Sequence, residues 1–301
     1  MKIYGIKFVS SIATLLSNLV YNFHKKVQGV KTINNVAYKE NGNKFHKCDI
    51  HFCDEGVKSQ EKKPVMVYFH GGGWSVYTKN IFTTLCRRFA AMGYVVFNCN
   101  YRLAPKCKID KIMDDVLDAI KFAKSKAHEF GGDESKIILA GDSSGAHMAM
   151  LATVFAKNEM DGFSHDIFES IKATVLFYGV FDFETALKSK FINIKTYVNS
   201  CLRGKEGTSE RKADLKKYSP LCYDLSGLKN VFIASGGVDK LHKSQSLKLS
   251  RELEKCGCVH KNVFFDDREL KAIHAFMAID GIETTTKVLL ELEKFLAENV
   301  K

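Results

Sequence analysis

The chain is poor in proline: only Pro64, Pro105 and Pro220 occur in 301 residues. It also has no long flexible linker, no internal repeat and no low-complexity tract, which excludes collagen-like and largely disordered chains. Nine cysteines are present, at Cys48, Cys53, Cys86, Cys99, Cys107, Cys201, Cys222, Cys256 and Cys258, yet none is paired in the C-x-x-C spacing of zinc or redox sites. Their number is odd, and several lie in apolar runs, as Cys99 does beside Val95, Val96 and Phe97, where a free thiol behaves as a small hydrophobe. A reducing, cytoplasmic setting is favoured. No block of five or six like charges stands out either. The net charge of +11 comes from scattered lysines, which argues against a nucleic-acid surface and for a solvated lysine-rich exterior. Such an exterior would attract anionic membranes or acidic substrates only in a salt-dependent way.

A run apolar enough to span a bilayer is also missing. Lys2 and Lys7 precede a fairly apolar stretch from Phe8 to Val20, but Ile6, Val9, Ile12, Leu15, Leu16, Leu19, Val20 and Phe23 alternate at helical spacing with Ser10, Ser11, Thr14, Ser17 and Asn18. The pattern is that of an amphipathic helix with no clear small-x-small cleavage site. Packing on its own protein is the expectation. A helix on a membrane surface, or a targeting segment for secretion, are the alternatives.

What the chain does contain is enough apolar material, 46% of residues against 26% charged, for one sizeable core. Short β-rich runs recur at 65–70, 94–98, 137–141, 173–178, 230–235 and 262–266. Helical patterns at 109–130, 146–157, 242–255 and 283–298 lie between them. Alternation of this kind predicts an α/β fold, with a mainly parallel central sheet and helices on both faces. The stretch 183–218 breaks the rhythm: it is helical in character, charged, and interrupted at Gly204 and Gly207. The expectation is one domain over 1–301 with cap elements from about 1–35 and 183–218, placed over the carboxyl ends of the strands, where open α/β sheets hold ligands.

The strongest local signal is Gly141-Asp142-Ser143-Ser144-Gly145, set between the apolar run Ile137 to Ala140 and the helical stretch from Ala146. A strand, a sharp turn and a helix in that order present a serine hydroxyl clear of the sheet, and glycines two positions either side leave room for the turn. Ser143 is the candidate nucleophile. Upstream, His70-Gly71-Gly72-Gly73-Trp74 follows directly on an apolar strand. Successive glycines let backbone amides point outward, and preorganised donors stabilise the oxyanion formed when serine attacks a carbonyl, by roughly 3–4 kcal/mol each. The amides of Gly72, Gly73 and Ser144 would serve, and Trp74 is a candidate substrate contact.

A serine needs a histidine base oriented by a carboxylate, and in this strand-turn-helix setting the chain order is serine, acid, histidine. Of the histidines after Ser143, His274 fits best, because it follows the last strand and precedes the final helix. His147 lies one turn along the elbow helix and reads as a packing residue, whereas His165, His242 and His260 read as surface residues. Asp239, just past the preceding strand, is the candidate acid. Asp266 and Asp267 are rivals by position.

These motifs, together with Tyr101-Arg102-Leu103-Ala104-Pro105, Phe130-Gly131-Gly132-Asp133, Ser219-Pro220-Leu221, Asp239-Lys240-Leu241 and His274-Ala275-Phe276, make the chain resemble the hormone-sensitive-lipase branch of α/β-hydrolases, which includes microbial carboxylesterases and arylacetamide deacetylases. The resemblance runs from Val65 to His274. It implies hydrolysis of short to medium acyl esters without cofactor or metal, under a two-part cap, with Ser143, Asp239 and His274 as the triad and Gly72, Gly73 and Ser144 as oxyanion donors. Alanine is usual in that family where Ser144 stands, and glycine where Ala146 stands. A small-molecule ester is the expected substrate, with no nucleic-acid partner and at most weak membrane contact through the N-terminal helix. The rival readings are an amidase or arylformamidase of the same fold, a ligand-binding relative that has lost hydrolysis, and a membrane-surface lipase.

Overall fold

The computed structural model describes residues 25–54, 57 and 61–300. The amphipathic segment before Phe23 lies outside the described residues. Among those described, no helix is long and apolar enough to cross a membrane.

Eight strands form one sheet: β1 Val30–Ala37, β2 Lys47–Cys53, β3 Lys63–Phe69, β4 Val95–Cys99, β5 Gly132–Asp142, β6 Ile171–Phe177, β7 Val231–Gly236 and β8 His260–Phe265. Their order across the sheet is β1-β2-β4-β3-β5-β6-β7-β8. β2 runs antiparallel to both neighbours, and the remaining pairs are parallel. Among the described residues, nine α-helices of five residues or more accompany the strands: α1 Thr83–Ala91, α2 Ile109–Lys126, α3 Ser144–Lys157, α4 His165–Ser170, α5 Phe183–Leu187, α6 Ile194–Cys201, α7 Ser209–Lys217, α8 Ser246–Lys255 and α9 Glu283–Asn299.

The strand period of two divides the core into two layers. Along β3, Val65, Val67 and Phe69 join the layer under α2, α3 and α8, while Met66 and Tyr68 join the layer under α1 and α9. Because both faces are covered, β3, β4, β6, β7 and the stretch of β5 from Ile137 read as largely apolar runs. From Ser144 to Ala156 every residue of α3 is buried, so this helix runs through the centre of the molecule rather than along its surface.

β1 and β2 carry no such signature. β1 is half exposed, with a register shift between Ile33 and Val36. Residues 30–35, expected in the N-terminal cap element, instead lie in this edge strand. β2 buries Asp49 and His51. Asp49 is satisfied by the Lys79 ammonium at 2.7 Å and the Asn35 amide at 2.8 Å, and the Thr32 hydroxyl pairs with His51 Nδ1 at 2.9 Å. Polar partners distant in sequence thus replace the apolar alternation that would have marked the strand.

The stretch 183–218 forms α5, α6 and α7 between β6 and β7. Its two ends are pinned together: the Phe183 amide donates to Ser219 Oγ at 2.9 Å.

Candidate active site

Ser143 sits between the end of β5 and the start of α3 with φ 50° and ψ −116°. A left-handed φ at a non-glycine residue costs on the order of 1–3 kcal/mol, so its surroundings must enforce it. Two of them are visible. The Ser143 amide donates to the Phe177 carbonyl at the end of β6 at 2.9 Å. A Cβ on Gly145 would overlap the Phe69 carbonyl oxygen, and one on Gly141 would meet the Gly145 backbone. The flanking glycines are therefore required by close packing of the elbow on β3, while the unusual dihedral falls on the serine itself.

The Ser143 hydroxyl lies 2.8 Å from His274 Nε2, and His274 Nδ1 lies 2.7 Å from Asp239 Oδ2. The other Asp239 oxygen accepts the Leu241 amide at 2.9 Å. The Asp239 carboxylate is buried, its side chain 1% exposed, whereas the His274 ring is 19% exposed. The three residues singled out by chain order therefore meet in space. β7 delivers Asp239 and β8 delivers His274, each on the loop past its strand. The rivals are engaged elsewhere: Asp266 pairs with Arg268 at 2.8 Å, and the Asp267 carboxylate lies against Gly237.

The remaining histidines divide differently from expectation. His147 is buried and bonded through both ring nitrogens, and His165 is exposed near Glu169. His260 opens β8, with Nδ1 on the Cys258 carbonyl. His242, read from sequence as a surface residue, is buried. Its Nδ1 pairs with Ser235 Oγ at 2.7 Å, its ring packs edge-on to Phe264, and burial pushes its pKa down. The turn Gly236 to Leu241 folds it back onto β7, a placement the polar sequence around it does not reveal.

The loop 70–74 faces Ser143 from β3. Gly72, Gly73 and Trp74 all have left-handed φ, at 119°, 56° and 59°. His70 Nδ1 lies 2.7 Å from the Gly71 carbonyl. A carbonyl only accepts, so this nitrogen carries the proton. Because a peptide is planar and trans, fixing the Gly71 oxygen fixes the Gly72 N–H on the opposite side. The Gly71 amide itself donates to Asp142 Oδ1 at 2.7 Å. Behind the loop, the Tyr101 hydroxyl donates to the His70 carbonyl at 2.8 Å and the Ala104 amide to the Trp74 carbonyl at 2.8 Å. The Tyr101 to Pro105 motif is thereby a back-brace for the glycine loop. The Ser144 amide is in the first turn of α3, where N–H groups lack intrahelical partners and the helix end carries partial positive charge.

Asp142 is fully buried in the elbow, where it also accepts the Tyr68 hydroxyl at 3.1 Å. Burial raises its pKa to about 7 against the opposing effect of these bonds. No sequence signal distinguishes this residue from an ordinary variable position of the G-x-S-x-G pattern.

A cavity of about 270 Å³ opens over Ser143 and His274, walled by Ile81, Phe82, Val180, Phe191, Ile194 and Tyr197 among others. Among the described residues, its ionisable lining is His274, Asp142 and the tyrosines Tyr77 and Tyr197. Trp74 contributes to the wall, but its indole is 1% exposed and bonded to His147. Segment 183–218 supplies the roof: the Phe191 ring lies 4.5 Å from the His274 ring, and a Cβ on Gly73 would overlap the Tyr197 ring. Among the described residues, no three His, Cys, Asp or Glu side chains converge as a metal site would require.

A serine elbow at the carboxyl edge of a mainly parallel sheet, with acid and base on later loops, defines an α/β-hydrolase. The sequence model of the alpha/beta hydrolase fold family matches residues 66–278, and the chain belongs to that family. Among curated proteins it is similar to the carboxylesterase NlhH of Mycobacterium tuberculosis, 34% identical over 100 residues that are 33% of this chain and 31% of that protein. It is similar in like measure to the gibberellin receptor GID1B of Arabidopsis thaliana, 35% identical over 108 residues, 34% of this chain and 30% of the receptor. The matched stretch thus spans less than a third of each relative. Esterase B from Lactobacillus rhamnosis shares the fold, with a TM-score of 0.82 at 16% identity over 98% of this chain and 94% of that one.

Proposed function

We propose that the protein is a serine carboxylesterase acting on uncharged esters of short to medium acyl chain. The observation that carries this reading is the unbroken hydrogen-bonded line from Asp239 through His274 to Ser143, ending in an apolar cavity that Gly72 and Gly73 also line. Its volume sits near the low end of the roughly 300–1,000 Å³ usual for ligand pockets, which favours small acyl groups. The apolar side chains that wall it, Ile81, Phe82, Val180 and Phe191 among them, favour neutral substrates.

In this reading His274 Nε2 takes the Ser143 proton as the hydroxyl oxygen adds to the ester carbonyl carbon. The displaced electron pair moves to the carbonyl oxygen, which the three amides receive. Collapse expels the alkoxide, which leaves as alcohol with the proton from His274. Water then gives its proton to His274 and its oxygen to the acyl carbon, and a second collapse releases the acid and restores Ser143. Asp239 holds the imidazole tautomer and stabilises its charged form. Helices α5 to α7 act as the cap that dries the site.

The gibberellin receptor among the relatives raises ligand binding as a second reading. The bond from His274 to Ser143 favours hydrolysis, because a receptor has no use for a base placed on a serine hydroxyl. The test is hydrolysis of p-nitrophenyl acetate, butyrate, octanoate and palmitate by the wild type and by Ser143→Ala, without added metal. Turnover of the shorter esters that disappears in the variant is expected. Equal activity of the two proteins would overturn the assignment of Ser143, and an inert wild type that cleaves formamides or amides would move the chain to the amidase reading.

A further inference from the structure

We infer that His147 is a positioning residue for the glycine loop: as a neutral imidazole it joins the Trp74 indole to both ends of the cap segment, and so holds Gly72 and Gly73 facing Ser143. The inference rests on the hydrolase reading for its effect on rate, but not for its structural content.

Both ring nitrogens of His147 are committed. Nε2 lies 2.7 Å from the Tyr218 carbonyl oxygen, which can only accept, so Nε2 carries the proton. The indole Nε1 of Trp74 can only donate, and it points at Nδ1 from 3.2 Å, so Nδ1 is bare. One tautomer satisfies both bonds, and the ring is fully buried.

The placement of this ring gives it leverage. It sits one turn into α3, its amide on the Ser143 carbonyl at 3.1 Å, so it moves with the elbow. Trp74 stands edge-on to it at 5.2 Å and directly follows Gly73 in the glycine loop. Trp74 also holds a left-handed φ that it would not keep unaided. Phe183, which opens the cap segment, packs on the imidazole at 4.9 Å, and the carbonyl of Tyr218, which closes it, accepts the hydrogen bond from Nε2–H. Elbow, glycine loop and both cap ends therefore meet at one side chain. Cap displacement reaches the glycine amides through His147 and Trp74.

Protonation would break the arrangement, since a second N–H on Nδ1 would confront the indole N–H. Burial lowers the His147 pKa to about 4, with the Tyr218 carbonyl opposing. The ionisable groups on the elements packed around it are Lys157 on α3, Glu184 on α5, Glu210, Arg211, Lys212, Asp214, Lys216 and Lys217 on α7 with Tyr218 after it, Asp182 before Phe183, Asp142 at the elbow and His70 at the start of the glycine loop. None of these side chains hydrogen-bonds to the imidazole.

The test uses the full chain and the fact that Trp74 is its sole tryptophan. His147→Phe keeps a ring against Phe183 and removes both bonds, and Trp74→Phe removes one. On p-nitrophenyl butyrate each is expected to lower kcat roughly 10- to 100-fold with little change in KM, and to weaken a boronic acid that forms a tetrahedral serine adduct in parallel. The double variant should lose no more than the worse single one. In the wild type, Trp74 emission should fall as a neighbouring imidazole gains its proton near pH 4, and in His147→Phe this step should vanish. Wild-type kcat in Trp74→Phe, or an emission step that persists in His147→Phe, overturns the inference. If His147→Phe fails to fold, Trp74→Phe decides alone. Failure of the esterase reading shows separately, as activity retained by Ser143→Ala.

Discussion

The Asp142 carboxylate accepts the Gly71 amide at 2.7 Å, and through this single bond the serine elbow and the glycine loop become one unit. The same oxygen takes the Tyr68 hydroxyl from the strand beneath. A residue adjacent to Ser143 thus sets where the loop opposite it lies.

Because the folded state raises the Asp142 pKa from 3.8 to about 7, it binds a proton more tightly than the unfolded chain. Between about pH 4 and pH 7 the native form is protonated at this site and the unfolded form is not, so stability contributed here is present at low pH and is lost as pH rises toward 7. Asp142→Asn keeps an acceptor for Gly71 and removes the titration. Its Tm relative to wild type should climb between pH 5 and pH 8, and a pH-independent difference would count against the assignment.

Asp239→Asn retains the shape of the acid and its acceptor for Leu241 but no longer enforces the imidazole tautomer or its charged form. By analogy with other serine hydrolases kcat should drop by roughly 10³ to 10⁴, with folding intact by circular dichroism. A loss under tenfold would indicate that Asp239 is not the orienting carboxylate.

Gly145→Ala should destabilise the protein by at least about 1–3 kcal/mol, read as a lower midpoint in urea or loss of soluble protein. The new methyl would collide with the Phe69 carbonyl of β3, a backbone atom that cannot step aside. Gly207→Ala is a control in open space, strained only through its left-handed φ of 88°, and should cost less.

Tyr197→Ala removes the ring that roofs Gly73 and enlarges the cavity on that side. The ratio of kcat/KM for octanoate over acetate should rise by roughly tenfold, the scale of a few methylenes gained in an apolar pocket. An unchanged ratio would place the acyl chain away from Tyr197.

The parts of the fold most legible in sequence were those governed by short-range pattern. β3, β5, β6 and β7 are buried on both faces, so their apolar runs stand out, and the turns around Ser143 and Gly71 to Gly73 announce themselves through glycine. β1 and β2 were not legible, because Asp49, His51 and the bulge near Asn35 are stabilised by Lys79, Thr32 and neighbouring backbone rather than by alternation. His242 escaped for the same reason: its burial depends on Ser235 and Phe264, brought to it by the turn after β7.

By itself the sequence determined the class of fold, the elbow, the glycine loop and the chain order that named Ser143, Asp239 and His274, since each rests on local backbone chemistry or on the succession of strands. Only the tertiary structure decided which carboxylate reaches His274, what Asp142 and His147 bind, and that Phe191 and Tyr197 roof the site. Those facts depend on contacts between segments tens to hundreds of residues apart, and the energy of such contacts lies in packing and hydrogen-bond geometry that exist once the sheet has assembled.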